Sequence, residues 1–369
     1  MLDAAIATRV RAHGGCIVTD ESIARLVPTD GLRRFLDERF GSSDATPEVS
    51  RLGEGHSNLT FLVGRGDREW VLRRPPRGDI LPGTHEMHRE FAVMKALRDA
   101  SSPVPVPQVY ELCRDDSYIG APFYLMSEVR GVVVRDKVPS QFDSPEERRN
   151  MGMSLVDTLA EIHATDWRAV GLDDLARKPD EFLSRNLRRM QQLYDAVRHR
   201  ELPEVDEAGE WLRVHAPEQR ESALTHGDYK LDNVILAPDT PARVAAVIDW
   251  EISTVGDPLV DLGWMLYFSP EADDPPTGGV SGAVTAEPGY PTRRELALRY
   301  ADACGRTLDD LRFYVALAGW KIAIIMEGSN LRFKQGDADD EMFEALDDAV
   351  PLLARRALDV VSGKVDVGA

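Results

Sequence analysis

The chain has 369 residues, 43% of them hydrophobic and 29% charged, and a formal net charge of −19. That length exceeds one compact core and calls for two domains or lobes, and the acidity excludes a general nucleic-acid binder, whose footprint is basic. Three widely spaced cysteines (Cys16, Cys113, Cys304) form no CxxC pair, so neither a disulfide framework nor a cysteine metal site is expected, and a reducing cytoplasm is. Residues 1–17 hold no sustained apolar run, so no signal peptide is expected, and no apolar stretch reaches a membrane span.

In chain order, residues 1–28 read as a loosely ordered extension. Residues 30–40 have helical apolar spacing, with Thr29 or Asp30 as the cap. Residues 60–63 and 69–73 read as strands joined by the turn Gly64-Arg65-Gly66-Asp67. Residues 85–99 place Met87, Phe91, Met94 and Leu97 at helical spacing. A proline-rich connector at 102–107 leads to a strand pair at 109–113 and 122–129. From 145 onward the pattern is mainly helical, at 148–165, 179–200, 205–216, 293–304, 308–333 and 343–361. A short β segment and a Pro- and Gly-rich loop at 269–291 interrupt it. The domain reading is an N-terminal extension (1–28), a β-rich lobe (29–127) and a helical lobe (128–369).

The chemistry concentrates in His226-Gly227-Asp228-Tyr229-Lys230-Leu231-Asp232-Asn233 and, sixteen residues after Asn233, Asp249 in Val247-Ile248-Asp249-Trp250-Glu251. An Asp, an Asn five residues on, and a second Asp after an apolar strand suit phosphoryl transfer from ATP. That reaction asks for in-line positioning and neutralised phosphate charge more than for covalent chemistry. Asp228 is placed to accept or orient an acceptor hydroxyl proton. Asn233 and Asp249 offer the oxygen ligands that magnesium prefers. A lone HGD is more often a turn, and a lone Asp after a strand more often a helix cap; the three together in this order are not explained that way.

The HGDxxxxN motif (His226 to Asn233), Ile248-Asp249-Trp250-Glu251 and Gly256-Asp257-Pro258-Leu259-Val260-Asp261-Leu262 resemble the aminoglycoside phosphotransferase and choline kinase relatives of the protein kinases. Val71-Leu72-Arg73-Arg74-Pro75-Pro76, Val104-Pro105-Val106-Pro107 and Trp320-Lys321-Ile322-Ala323 resemble the subgroup related to kinase domains fused to acyl-CoA dehydrogenases. The resemblance spans about residues 48–335. It implies an α+β, bilobal protein-kinase-like fold, with a small antiparallel sheet and a larger helical lobe. It also implies ATP and Mg²⁺ as nucleotide and metal, and a small-molecule hydroxyl acceptor, without nucleic-acid or membrane partners.

Residue by residue, the resemblance makes Gly53, Gly55, Ser57 and Asn58 a phosphate-covering turn, with Asn58 where protein kinases have a third glycine. It puts Val71 above the adenine and Arg73 in the place of the usual lysine, a departure that arginine's bidentate fork accommodates. Arg74 and Arg77 read as solvated charge. Glu90, or Glu86 one turn earlier, would orient Arg73, and the backbones of Ser127 and Val129 would read the adenine edge. Asp261 resembles an acid that supports the catalytic loop. His163 reads as a packed helix residue.

On the acceptor side, Lys321 interrupts a very apolar helix and is either a structural cation or a substrate contact. The acidic stretch 336–348 favours an amino sugar as acceptor, or is a solvated face. Lys321, Arg332 and Lys334 favour a hydroxylated acyl-CoA or related metabolite. A pseudokinase that binds nucleotide without turnover is the alternative, and a hydrolase with Asp228 as nucleophile is a third reading.

Overall fold

The computed structural model describes residues 20–52, 58–76, 87–275, 283–336 and 345–368. The chain divides into two units. One takes the segment through His88 together with Val109–Glu128; the other takes Arg89–Gln108 and everything from Val129 onward.

In the first unit, helices α1 (Asp20–Leu26) and α2 (Thr29–Phe40) precede strands β1 (Glu48–Leu52), β2 (Leu59–Arg65) and β3 (Arg68–Arg74). With β4 (Val109–Cys113) and β5 (Phe123–Met126) these form an antiparallel sheet of order β1-β2-β3-β5-β4. Strand alternation sends Phe61, Trp70, Leu72 and Leu125 into one core, which the helices cover with Ile23, Val27, Leu32 and Phe35. Residues 20–28 are therefore an ordered part of this unit, not the loose extension expected. Burying apolar side chains such as Ile23 and Val27 is worth roughly 1.5–3 kcal/mol each, enough to hold a short helix in place. Helix α2 begins after Pro28 and has no side-chain cap, so neither Thr29 nor Asp30 plays that part.

Arg74 overturns its reading as solvated charge. Its parity matches Trp70 and Leu72, and it is 2% exposed. Its guanidinium donates to the carbonyls of Leu26, Pro75 (3.1 Å) and Ile119 (3.4 Å), which ties β3 to the end of α1. Charged hydrogen bonds of this kind are worth about 1.5–3 kcal/mol each, and stranding a buried partner costs about the same. Arg74→Met should lower the unfolding free energy in urea by about 2–3 kcal/mol; an unchanged midpoint would show the tie to be idle.

In the second unit, α3 (Met87–Asp99) contributes from Arg89 on. There follow α4 (Pro145–Ala164), α5 (Phe182–Val197), α6 (Pro203–Val214), β6 (Ala223–Thr225), β7 (Val234–Leu236), β8 (Val244–Val247) and β9 (Thr254–Gly256). Four helices complete it: α7 (Leu259–Tyr267), α8 (Arg293–Cys304), α9 (Leu311–Gln335) and α10 (Leu346–Val361). Strand β6 pairs with β9, and β7 with β8, both antiparallel. The helix starts are locally encoded. Ser144 accepts from the Glu147 N–H at the head of α4 (3.2 Å), and Thr292 and Glu295 form a reciprocal capping box on α8.

Helix α9 is buried along most of its length and packs against α7 and α10. Gly263 permits the close approach to α7, since a Cβ there would fall 2.5 Å from the Tyr314 carbonyl carbon. Helix α7 was not anticipated from sequence. Every residue from Val260 to Tyr267 is buried, so there is no polar face to betray the helical period. Among the described residues, no helix is long and apolar enough to cross a membrane.

Candidate active site

Strand β6 ends at Thr225, opposite Thr254 of β9, and the chain turns at His226 and Gly227. Gly227 has φ +90°, and a Cβ on it would meet the Ile252 carbonyl oxygen at 3.0 Å, so the turn requires glycine. The fully buried Asp261, in the first turn of α7, accepts from the backbone N–H of both His226 (2.6 Å) and Gly227 (2.9 Å). His226 Nδ1 accepts from the Asp228 N–H (3.3 Å), so Nε2 carries the proton and donates to the Ile248 carbonyl (2.9 Å). The loop is thus bolted to α7 and to the residue before Asp249.

His163 of α4 completes this support. Burial pushes its pKa below the ordinary histidine value and keeps the ring neutral. The Tyr300 hydroxyl donates to Nδ1 (2.6 Å), and Nε2 faces Asp261 Oδ2 at 3.4 Å. For Asp261, burial opposes the charge, yet the hydrogen bonds from His163 and from the His226 N–H hold its pKa below the ordinary carboxylate value.

Asp228 is half-buried and held at both oxygens. Trp264 Nε1 donates to Oδ1 (2.7 Å), and Asn233 Nδ2 donates to Oδ2 and to the Asp228 carbonyl (both 2.8 Å). The carboxylate therefore has a set orientation but retains lone pairs for another donor. Lys230 Nζ lies 3.7 Å from Asp228 Oδ2 and 3.3 Å from Asp232. Burial works against that ammonium, but Asp228, Asp232 and Asp249 together raise its pKa above the ordinary lysine value.

The β7–β8 register sets Val234 opposite Val247, and the Ile248 N–H donates to the Asn233 carbonyl at 3.0 Å. Asn233 and Asp249 therefore emerge at the same end of this hairpin. Asp249 adopts φ +69°, left-handed backbone uncommon outside glycine and asparagine. Because the Asn233 amide nitrogen is committed to Asp228, its Oδ1 is the side-chain atom left for a cation. No cluster of three or more His, Cys, Asp or Glu suited to a metal occurs among the described residues. An amide oxygen and a carboxylate nonetheless fit Mg²⁺, which takes most of its ligands from phosphates and water.

On the other rim, Lys321 of α9 is 9% exposed, with Nζ 4.9 Å from the centre of the Trp264 ring. Desolvation pushes its pKa down, while Asp261 and Asp228 pull it up. Lys334 and Arg332 lie farther along α9, where Lys334 pairs with Asp347 (2.7 Å). Asp347 also pairs with Arg200 (3.1 Å), so this part of the acidic stretch is engaged in ion pairs; residues 337–344 lie outside the described residues.

In the first unit, Val71 and Arg73 alternate with Trp70, Leu72 and Arg74 and so occupy the sheet face away from α1 and α2. Val71 pairs with Leu62 and Met126, and Arg73 with Thr60 and Tyr124; both are buried. Asn58 is buried just before β2, and Ser127 directly follows β5. Glu90 is buried on α3, and Val129 is the first residue of the later stretch of the second unit. The expected phosphate-covering residues Gly53, Gly55 and Ser57, together with Glu86 and Arg77, lie outside the described residues.

Sequence reasoning missed Trp264 and Lys230 and treated His163 as mere packing. Lys230 lay inside the motif, and its charge was the available signal. Trp264 and His163 gave none, because their partners are 36 and 98 residues distant.

With this geometry in view, the likeness to known proteins is specific. The phosphotransferase enzyme family (APH) model matches residues 48–296. Acyl-CoA dehydrogenase family member 11 of Gallus gallus is 36% identical over 317 residues, 85% of this chain and 40% of that protein. Acyl-CoA dehydrogenase family member 10 of Mus musculus is 34% identical over 316 residues, 85% of this chain and 29% of that protein. The chain thus spans less than half the length of these curated relatives. Among solved structures, a candidate aminoglycoside phosphotransferase from Ralstonia eutropha JMP134 has a TM-score of 0.75 at 30% identity, covering 90% of this chain and 98% of that one. A thermostable mutant of aminoglycoside phosphotransferase APH(4)-Ia, in ternary complex with AMP-PNP and hygromycin B, shares the fold with a TM-score of 0.55 at 19% identity, covering 87% and 98%. A sheet-containing unit and a mainly helical unit, an Asp228 loop bolted to α7 and this match over residues 48–296 place the chain in the phosphotransferase enzyme family, with a kinase-like fold.

Proposed function

We propose that the chain is an ATP- and Mg²⁺-dependent small-molecule kinase that transfers the γ-phosphoryl group to an acceptor hydroxyl. The observation that carries this is Asp228, half-exposed and fixed between Trp264 and Asn233, with the oxygen donors of Asn233 and Asp249 at the neighbouring hairpin end. The family match and the AMP-PNP bound by a fold neighbour support it.

In this reading Asp228 orients the acceptor hydroxyl and takes its proton as the oxygen bonds to the γ-phosphorus. The bond from that phosphorus to the β–γ bridging oxygen breaks, and ADP leaves. Lys230, kept protonated by its three carboxylates, offsets charge on the transferring group. Asn233 and Asp249 would hold Mg²⁺, which when bound neutralises phosphate charge. Val71, Arg73 and Glu90, the loop containing Gly53, Gly55, Ser57 and Asn58, and the backbones of Ser127 and Val129 make up the proposed nucleotide-binding set. For the acceptor, the names of the curated relatives favour a hydroxylated acyl-CoA or related metabolite over an amino sugar.

The test is incubation with γ-labelled ATP, Mg²⁺ and a metabolite extract. Label should appear in an organic phosphate and require the metal. Nucleotide binding without transfer would establish the pseudokinase reading instead, and label in inorganic phosphate alone would establish a hydrolase.

A further inference from the structure

Lys321 lies in a helix whose residues from Phe313 to Ile324 are all buried. Among the described residues its ammonium has no hydrogen-bond acceptor and no carboxylate at ion-pair distance; its contact is the face of the Trp264 indole, 4.9 Å from the ring centre. An ammonium shielded from most solvent and lacking a protein acceptor is stabilised by a binding partner that brings one. The two carboxylates whose charge reaches it are already committed. Asp261 takes the His226 and Gly227 N–H groups and faces His163, and Asp228 takes Trp264 and Asn233.

The same indole that Lys321 covers with its face holds Asp228 at its edge. The ammonium thus lies over the face of the ring whose Nε1 edge holds the carboxylate. Lys230 flanks Asp228 on the far oxygen, and the positive charge of Arg189 on α5 also acts on Lys321. Lys230, Lys321 and Arg189 thus share these surroundings with the carboxylates of Asp228, Asp232, Asp249 and Asp261. An acceptor that placed an ammonium group beside Lys321 would meet like charge there.

We propose that Lys321 is the specificity-determining residue of the acceptor site: its ammonium donates to a carboxylate or carbonyl oxygen of the acceptor, carried a short aliphatic spacer away from the hydroxyl that rests on Asp228. This rests on the phosphotransferase reading and adds to it which face of the acceptor is read, and by which residue. Trp264 is the spacer that sets the distance between hydroxyl and acyl oxygen, and Gly263 is what brings α7 close enough to α9 for the pair to form.

The experiment compares native protein, Lys321→Met and Lys321→Gln with ATP and four acceptor sets: hydroxyalkanoates of graded length as free acids, the same as coenzyme A thioesters, diols of matching length, and kanamycin. Native protein should favour an acyl-bearing acceptor over its diol by about 10- to 100-fold in kcat/KM, the scale of one hydrogen bond to a charged group, since the diol offers the ammonium only a weaker hydroxyl oxygen. Free acid against thioester shows which oxygen is read. In Lys321→Met that ratio should fall to within about fivefold, chiefly through the KM of the acyl acceptors, with the KM for ATP near native. Lys321→Gln, which keeps a donor without the charge, should fall between the two and serves if the methionine variant folds poorly. Retention of the native ratio in both variants, or a native preference for kanamycin, would overturn the proposal. If native protein phosphorylates no acceptor, the kinase reading itself fails, and this one with it.

Discussion

Asp228→Ala should reduce phosphoryl transfer by about 10³-fold, within the range that a positioned acid–base group contributes, while nucleotide affinity stays within about threefold of native. The expectation comes from the carboxylate's setting. Trp264 and Asn233 hold its two oxygens, so its orientation is set in advance and its remaining lone pairs are free to accept from a hydroxyl. Asp228→Asn is the sharper variant. Its oxygen still accepts from Trp264, but its new amide faces the Asn233 amide nitrogen, donor against donor, and it cannot take a proton. It should be as inactive as the alanine variant. Steady-state transfer from labelled ATP reads the first effect, and calorimetric titration with a non-hydrolysable ATP analogue reads the second. Full activity in either variant would remove Asp228 from the mechanism.

The second large effect is on stability, at Asp261. Alanine there strands the backbone N–H groups of His226 and Gly227 and takes the partner from His163, all inside the protein. Removing one member of a buried charged network costs about 3–5 kcal/mol, and Asp261→Asn should cost less because one acceptor oxygen remains. Urea denaturation at pH 7 measures both; a native-like midpoint for the alanine variant would show the loop to be held elsewhere.

The pH dependence has a definite sign. The folded-state pKa of Asp261 lies below its unfolded value, so its stabilisation is complete above about pH 4 and is lost as pH falls through the lower folded value. His163 is also depressed, by burial, so the folded protein resists its protonation. Its contribution is complete above about pH 6.5, the unfolded histidine value, and declines as pH falls below that. The native protein should therefore begin to lose stability below about pH 6.5 and lose it more steeply below about pH 4. The gap between native and Asp261→Asn should stay constant at neutral pH and close only in the acid range.

The β2–β3 turn and the helix from Arg293 to Cys304 were legible because each depends on residues a few positions apart. The Asp228–Asn233 pair was legible for the same reason, five residues of separation being closed by one short turn. Helix α7 was not, because it is buried on every side, Asp261 included, and so lacks the polar face that reveals a period. Arg74 was misread because an arginine's charge suggests solvent, and only the tertiary fold brings it the distant carbonyls of Leu26 and Ile119.

Alone, the sequence determined the chemistry on offer: an Asp, an Asn and an Asp at spacings that a loop and a hairpin bring to adjacent positions. Those are short-range facts, set by turn geometry and strand register. Tertiary structure decided what surrounds them. Trp264 meets Asp228, His163 meets Asp261, and Lys321 meets Trp264 only because the tertiary fold brings the Asp228 loop, α4 and α9 each to α7, over separations of 36, 98 and 57 residues. Such partners leave no local period or spacing, since burial and close approach between distant helices, at Gly263 above all, choose them.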